Sequence, residues 1–287
     1  MDLPVTELLR PRDLEEALAL LAARPEARPL AGGTDLVVQL RAGRRAERVL
    51  VDLSRVGLAG IRETGSGLEI GAGATMDEIA RDPHLARWAP ALARAAGWVG
   101  AWPIQCRATL GGNLANASPA ADTAPPLLVA GARVRMRSAT GGERDLPIEE
   151  LFTGPGRTAL APGELIVAVL LPEPLGAGGA ERFAKLGPRR EQVISVVSLA
   201  VRVVDRAGGR LRGVRIALGA VAPTPVRARS AEAVLEGSRP DAGALAAASE
   251  ALALDIAPID DLRAPATYRR HAAAVLLRRA VVEIAHA

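Results

Sequence analysis

Apolar residues recur at helical spacing near the start of the chain, and the pattern there predicts a βαβ-like unit. The first helix begins behind Asp13 and Glu16, a pair typical of a helix N-terminus, and prolines end it. The pair Gly32-Gly33 forces a tight turn between a short strand and a second helix, and a valine- and leucine-rich strand closes the unit. The predicted elements are helices over 13–23 and 35–41 and strands over 28–31 and 48–53.

From residue 57 onward the apolar pattern changes to shorter strands and helices. Thr75 followed by Glu78 is a capping-box sequence that opens a helix. Pro172, Pro174 and the glycines after them make a linker, which is the clearest domain boundary in the chain. Predicted strands lie over 68–71, 132–137 and 164–171, and predicted helices over 92–97 and 123–129.

Beyond the linker the pattern predicts a sheet covered by helices. Two of the strands are joined by a hairpin over 205–209, which is rich in glycine. The predicted strands are 182–186, 196–204 and 211–218, and the predicted helices are 229–236, 242–254 and a last one from Tyr268 onward. We therefore expect an α+β chain of three units, with boundaries at 1–56, 57–175 and 176–287.

Hydropathy and composition exclude several classes of protein. The chain has 287 residues and is 49% hydrophobic, yet no apolar run approaches the ~20 residues that span a bilayer. The N-terminal segment lacks the basic start and apolar core of a secretory signal, so we expect a cytoplasmic protein without a membrane span. Cys106 is the only cysteine and the three histidines are far apart, so we expect no metal and no iron-sulfur cluster held by this chain alone.

The charge pattern does not favour nucleic-acid binding. The isoelectric point is about 10.3, but the net charge is only +4 and the arginines are scattered among the acidic residues. An aromatic content of 2% leaves few rings on which bases could stack. We therefore expect no nucleic-acid partner.

The first segment with candidate chemistry is the turn around the early glycine pair. A glycine turn between a strand and a helix exposes successive backbone N–H groups, and the missing Cβ atoms let a phosphate approach them. A plain tight turn is the alternative. The candidate residues are Leu30, Ala31, Gly32, Gly33, Thr34, Asp35 and Leu36.

The second segment, over 109–119, repeats this composition. It has two glycines, hydroxyls and amides, and it holds Asn113 and Asn116, the only asparagines of the chain, so a long cofactor could lie along it. A buried polar turn is the alternative, and Asp122 could either bind a cofactor or cap the helix near Thr123. The candidates are Thr109, Gly111, Gly112, Asn113, Ser118 and Asp122.

The third segment follows the linker and contains Lys185, the only lysine of the chain. On a strand that faces the first units, this cation could lie beside a flavin ring, with Phe183 pointing the same way. A surface lysine beside a core aromatic is the alternative. No Walker A loop, Rossmann fingerprint or Gly-x-Ser-x-Gly elbow is present, and we assign no catalytic residue.

Several motifs together resemble the medium, FAD-binding subunit of the xanthine dehydrogenase and carbon monoxide dehydrogenase family of molybdenum hydroxylases. They are Ala31-Gly32-Gly33-Thr34-Asp35, Gly71-Ala72-Gly73-Ala74-Thr75, Arg107-Ala108-Thr109-Leu110-Gly111-Gly112-Asn113, Ser118-Pro119 with Asp122, Gly163-Glu164-Leu165-Ile166 and Phe183-Ala184-Lys185. Their order and spacing cover nearly the whole chain.

The resemblance implies a vanillyl-alcohol-oxidase-type FAD-binding fold of two subdomains, followed by a C-terminal α+β domain. By matching positions, 30–36 and 109–113 would hold the pyrophosphate and ribityl chain of a non-covalent FAD, and Asp122, Ile166 and Lys185 would approach the rest.

The same resemblance implies partner chains. A large subunit would hold a molybdenum-pterin centre, and a small subunit would hold two iron-sulfur clusters that reduce the FAD, in a dimer of heterotrimers. Glu191-Gln192-Val193 stand where NAD-using xanthine dehydrogenases have an acidic cluster, so oxygen, a quinone or another carrier are alternatives to NAD. The rival hypotheses are a stand-alone flavin oxidase of the same fold and a flavin-free scaffold.

Overall fold

The computed structural model describes residues 3–189 and 191–286. Met1 and Asp2, with which the segment used in the signal-peptide argument begins, lie outside the described residues, as do Arg190 and Ala287. Within the described residues, no helix is both long enough and apolar enough to cross a membrane.

The first lobe is a small parallel sheet with two helices, as the sequence predicts except for its first strand, which was not predicted. Its three strands pair in the order β1-β3-β2, and Asp13 caps the first helix by accepting the backbone N–H of Glu16. The apolar stripe of that helix packs against Val51 and against strand residues of the second lobe. The elements are β1 (Glu7–Leu9), α1 (Leu14–Ala23), β2 (Arg28–Leu30), α2 (Leu36–Arg41) and β3 (Val49–Asp52).

The second lobe is a five-stranded antiparallel sheet with short helices on it. Strand order is β4-β5-β10-β6-β7, and β8 and β9 form a separate hairpin. The strands are β4 (Ile61–Thr64), β5 (Gly67–Gly71), β6 (Arg133–Ser138), β7 (Gly142–Pro147), β8 (Phe152–Gly154), β9 (Arg157–Thr158) and β10 (Leu165–Leu171). The helices are α3 (Met76–Arg81), α4 (Pro83–Trp88), α5 (Pro90–Ala96), α6 (Trp102–Gln105), α7 (Leu110–Asn116), α8 (Ala124–Ala130) and α9 (Ile148–Leu151).

Local sequence explains where several of these helices begin. Thr75 and Glu78 form the predicted capping box at α3, with the Thr75 hydroxyl accepting from Glu78 N and the Glu78 carboxylate accepting from Thr75 N. Asp82 caps α4, whose first residue is Pro83, a position where the missing N–H costs nothing. Helix α8 is buried along its whole length, which places it between the second lobe and the C-terminal sheet.

The C-terminal domain is a four-stranded antiparallel sheet covered by helices, as predicted. One face joins the core of the second lobe through Phe183, Ala200 and Ala217, and the other packs under the last three helices. The elements are β11 (Ala180–Leu186), β12 (Val197–Val203), a 3-10 turn (Ala207–Gly209), β13 (Arg215–Gly219), β14 (Val226–Arg227), α10 (Arg229–Leu235), α11 (Ala242–Asp255) and α12 (Ala266–Ala285).

The α+β class is confirmed, and the predicted elements are present with ends shifted by a few residues. The strand predicted over 211–218 begins only at Arg215, because Leu211 and Arg212 belong to a turn in which Arg212 bridges back to Asp205. The sequence predicted no element over 109–119, and in the structure α7 begins at Leu110 within this segment. The boundaries 1–56, 57–175 and 176–287 stay a prediction.

Candidate functional site

The two glycine bends of the first two lobes are in direct contact. A Cβ atom on Gly32 would overlap the carbonyl oxygen of Arg107 and would lie 3.2 Å from the backbone nitrogen of Ala108. Only glycine therefore fits at this position. The contact brings the turn over 31–36 against the segment that leads into Thr109.

The first bend presents a row of unused backbone donors. Within the described residues, the N–H groups of residues 31–36 make no hydrogen bond to backbone or side chain. Gly33 has φ +72°, and its carbonyl oxygen accepts from Val37 N as α2 begins. Half-buried N–H groups that point to no protein acceptor are suited to the oxygens of a phosphate.

The second bend is different, because its backbone donors are already used inside the chain. Leu110 N donates to Ala74 O at 2.9 Å, and Gly111 N donates to Ala72 O at 2.8 Å. Gly112 N donates to the Thr109 hydroxyl at 3.1 Å, and Asn113 N to the Thr109 carbonyl at 2.9 Å. The backbone N–H groups of 110–113 are therefore not available to a ligand.

The glycines of the second bend serve close packing instead. A Cβ atom on Gly111 would lie 2.7 Å from the Cβ of Ala72, which stands in the run of small residues after β5. Gly112 is exposed, so its missing side chain leaves room for a ligand over the start of α7. The side chains of this segment, and not its backbone, are the groups that remain available.

Asn113 and Ser118 keep donors that no other described residue uses. Asn113 Oδ1 accepts from the Thr123 hydroxyl at 2.6 Å, while no bond from its amide nitrogen is present among the described residues. The Ser118 hydroxyl accepts from Ala120 N at 3.3 Å, and its own proton remains free to donate. Both side chains are half-buried beside the bends.

A buried ion pair lies where the second lobe meets the C-terminal sheet. Lys185 Nζ donates to Asp122 Oδ2 at 2.5 Å and to the carbonyl oxygen of Trp98 at 3.0 Å, and its side chain is only 3% exposed. The Ser195 hydroxyl donates to Asp122 Oδ1 at 2.5 Å. Burial raises the pKa of the Asp122 carboxyl, while Lys185 and Ser195 act in the opposite direction.

These contacts decide two alternatives that the sequence left open. Lys185 is not a surface lysine, because its ammonium is buried against Asp122 and the Trp98 carbonyl of the second lobe. Asp122 does not cap α8, because both of its oxygens are taken by Lys185 and Ser195. The Asn113–Thr123 bond then links this pair to α7 and the glycine bends.

A cavity of about 160 Å³ opens beside the ion pair. Trp98 stands over its edge and packs against Phe183 in an edge-to-face arrangement, with ring centroids 6.3 Å apart. The residues that line the cavity are Trp98, Lys185, Leu186, Gly187, Arg189 and Val193. Trp98 and Ser195 were not predicted from sequence; the scarcity of tryptophan in the chain, which has three, was the only signal for Trp98.

Two predicted residues lie deeper than expected. Phe183 and Ile166 are both buried in the core of the second lobe, Phe183 under Trp98 and Ile166 on β10. The alternative of a core aromatic beside the lysine is therefore correct for Phe183. Either residue could touch a ligand only through a small edge of its side chain.

Comparisons with known proteins agree with this geometry. Residues 4–174 match the family described as the FAD binding domain in molybdopterin dehydrogenase, and residues 182–284 match the CO dehydrogenase flavoprotein C-terminal domain. The chain belongs to this FAD-binding family. It is an oxidoreductase subunit, and its cofactor is FAD.

Relatives match over almost their whole length. The xanthine dehydrogenase FAD-binding subunit of Escherichia coli is 34% identical, over 96% of this chain and 94% of that protein. The carbon monoxide dehydrogenase medium chain of Afipia carboxidovorans is 34% identical, over 95% and 94%. In the solved structure of quinoline 2-oxidoreductase from Pseudomonas putida, the similar chain is 29% identical with a TM-score of 0.93, over 100% and 99%.

Proposed function

We propose that this chain is the electron-transfer subunit of a molybdenum hydroxylase complex. Electrons would reach its FAD from the iron-sulfur clusters of a small partner subunit and leave for an external acceptor. A large partner subunit would hold the molybdenum-pterin centre at which the substrate is oxidised. The observation that carries the proposal is the contact of the two glycine bends, which joins a row of free N–H groups to the start of α7.

The residues of the first bend fit a diphosphate. The N–H groups of 31–36 have no acceptor among the described residues, and the close approach at Gly32 forms the wall of the bend. FAD brings two negatively charged phosphates, whose oxygens are strong acceptors for such donors. We infer that Leu30 to Leu36 hold the diphosphate.

Side chains of the second bend fit the ribityl chain and the ring. The free amide nitrogen of Asn113 and the hydroxyl proton of Ser118 can donate to cofactor oxygens, and Gly112 leaves space beside them. Thr109 and Gly111 fix the bend, and Lys185 with Asp122 marks the far end of the site. When bound there, FAD supplies a carrier that takes up and releases electrons one at a time.

Partner subunits are inferred from what the chain lacks and from its relatives' names. With Cys106 as its only cysteine, the chain cannot ligate an iron-sulfur cluster by itself. Relatives from Afipia carboxidovorans and Paenarthrobacter nicotinovorans are called a medium chain and a medium subunit. We infer a hetero-oligomer with a large and a small chain, arranged as a dimer of heterotrimers.

FAD uptake by the purified chain tests the proposed site. The wild type should retain a visible band at about 450 nm after desalting. Gly32→Ala should weaken FAD binding by tenfold or more, about 1.4 kcal/mol, because the new Cβ forces the two bends apart. Gly65→Ala is the matched control, since a Cβ there meets nothing within 4 Å.

The other outcomes identify the rival functions. A wild-type chain that stays colourless and ignores added FAD would be a scaffold. Flavin that a small organic substrate bleaches without any partner chain would indicate a stand-alone oxidase. Equal FAD affinity in Gly32→Ala and Gly65→Ala would show that the glycine bends do not bind FAD.

A further inference from the structure

Ser195 occupies a special position behind the ion pair. Its side chain is fully buried, and it belongs to the C-terminal domain just before β12, whereas Asp122 belongs to the second lobe. The bond from the Ser195 hydroxyl to Asp122 Oδ1 therefore crosses the junction between these two parts. Neither the glycine motifs nor the lysine position predicts this serine.

We propose that Ser195 is a positioning residue, which fixes the Asp122 carboxylate so that Lys185 Nζ is held at the wall of the cavity. The link to the flavin rests on the proposed function, whereas the link between the three side chains does not. Each carboxylate oxygen has one side-chain donor, Ser195 on Oδ1 and Lys185 on Oδ2.

Lys185 is oriented because each oxygen of the Asp122 carboxylate accepts from a different side chain. With the hydroxyl on Oδ1 and the ammonium on Oδ2, a turn of the carboxylate about its Cβ–Cγ bond would break both hydrogen bonds. An ammonium has three N–H donors, of which Asp122 and the Trp98 carbonyl take two. The third is left for a ligand in the cavity that Lys185 lines.

Burial makes the positions of these three side chains depend on their hydrogen bonds to one another. Water does not screen or replace the bonds of a fully buried hydroxyl and a carboxylate that is almost fully buried, so removing one donor leaves the others to rearrange. Two arginines also lie near the cavity. Arg189 lines it, and Arg94 lies 5.6 Å above the Trp98 ring.

Ser198 provides a matched control three residues further along the chain. It is fully buried on β12, and its hydroxyl oxygen has no hydrogen-bond partner among the described residues. Changing it to alanine removes the same atoms from an equally buried site. Ser198 pairs with Lys185 across β11 and β12, but within the described residues its hydroxyl makes no hydrogen bond to the Asp122 carboxylate.

Lysine-selective NMR of the full-length, FAD-free chain tests the proposal. Lys185 is the only lysine, so a chain with ¹³C-labelled lysine gives one side-chain signal, whose shift follows the charge of Asp122. Ser195→Ala should move the acid-side inflection of this signal to higher pH, because the charged carboxylate loses a hydrogen bond. Ser195→Thr should restore the wild-type inflection, and Ser198→Ala should leave it unchanged.

Two results would overturn the proposal. One is an inflection in Ser195→Ala that coincides with the wild type, and the other is an equal shift in Ser198→Ala. If Ser195→Ala does not fold, Ser195→Cys keeps the size and a weaker donor, and should shift the inflection in the same direction.

The FAD-loaded chain then tests the link to the flavin separately. Ser195→Ala should change the midpoint potential of the flavin while FAD uptake stays intact, and Ser198→Ala should not change it. Identical potentials in all variants would exclude Ser195 from the flavin site. Failure of the wild type to bind FAD would contradict the proposed function and leave the NMR result standing.

Discussion

Glu181 and Arg202 form an ion pair that water does not reach. Their side chains are 0% and 5% exposed, and Arg202 Nη1 lies 2.6 Å from Glu181 Oε1. Arg202 also donates to the carbonyl of Trp88, and Glu181 accepts from Ala91 N, so both charged ends hold the second lobe. Burial raises the pKa of the Glu181 carboxyl, and Arg202 opposes that rise.

Removing one member of this pair should destabilise the protein strongly. Arg202→Met leaves the Glu181 carboxylate buried without its counter-charge, which costs about 3–5 kcal/mol of unfolding free energy. Urea unfolding monitored by circular dichroism measures the loss. Arg62→Met is the control, because Arg62 is 67% exposed in its pair with Glu69 and should cost about 1 kcal/mol or less. Equal losses in the two variants would contradict the role of burial.

At the residue scale, sequence reasoning found the positions with unusual composition and missed their partners. Lys185 stood out as the only lysine of the chain, and the glycine pair at Gly32 stood out because it lies between a predicted strand and a predicted helix. Trp98 and Ser195 come to Lys185 and Asp122 from other segments, and no local pattern encodes those contacts. Long-range side-chain pairs of this kind depend on the complete fold.

At the scale of elements, α7 shows why the helix in the second glycine segment was not predicted. Its sequence, Leu110–Asn116, contains two glycines and two asparagines, all poor helix formers. The helix forms because the Thr109 hydroxyl caps it and because Leu110 and Leu114 are buried in the second lobe. Tertiary packing therefore overrides local propensity in this segment, whereas the strongly patterned α1 and α3 were predictable.

The last helix, α12, depends on one buried arginine. Arg269 is almost fully buried and donates to the carbonyls of Val196 and Ala220, which lie at the ends of β12 and β13. Its Nη2 also donates to Asp261 Oδ1 at 2.6 Å. Arg263, first by its side-chain hydrogen bonds, and then Arg269 hold the pKa of the Asp261 carboxyl well below its usual range.

This pKa shift predicts how acid weakens the protein. A carboxyl whose folded-state pKa is lowered stabilises the fold above its unfolded pKa, about 3.9 for aspartate, and loses that contribution as pH falls further. The wild type should therefore exceed Asp261→Asn in unfolding free energy by a constant amount from pH 7 to about pH 5. Below about pH 4 the difference should shrink.

Urea unfolding at pH 7, 5, 4 and 3 measures this difference, with Glu250→Gln as the control at an exposed carboxylate on α11. A difference that grows as pH falls would show that Asp261 is not the stabilised anion. A Glu250→Gln curve that follows Asp261→Asn would show the same, because acid would then act on the surface charge in general.

For the whole molecule, the chain divides more clearly in sequence than in its packing. The first matched family region ends at residue 174 and the second begins at residue 182, so the exposed linker lies between them. The core of the second lobe nevertheless includes Phe183, Ala200 and Ala217 from the C-terminal sheet. The proline- and glycine-rich linker therefore marks a division in the chain, while the hydrophobic core continues across it.

We therefore expect the two parts to stay together when the linker is cut. A protease site inserted at Gly176, where no side chain lies within 4 Å of an added Cβ, should be cleaved in the folded protein. The fragments should elute as one species in gel filtration, because the shared core, the Lys185–Asp122 pair and the bonds of Glu181 and Arg202 to Ala91 and Trp88 all cross the junction.

Breaking the Glu181–Arg202 ion pair tests whether contacts across the junction hold the two parts together. Cleaved Arg202→Met protein should separate into fragments at lower urea than the cleaved wild type, since the bond to the Trp88 carbonyl is also lost. Cleaved wild-type fragments that separate without denaturant would show that the covalent linker, and not the packed core, holds the site together. In that case the position of Lys185 against Asp122 would depend on the linker as well, and the cut protein should lose FAD.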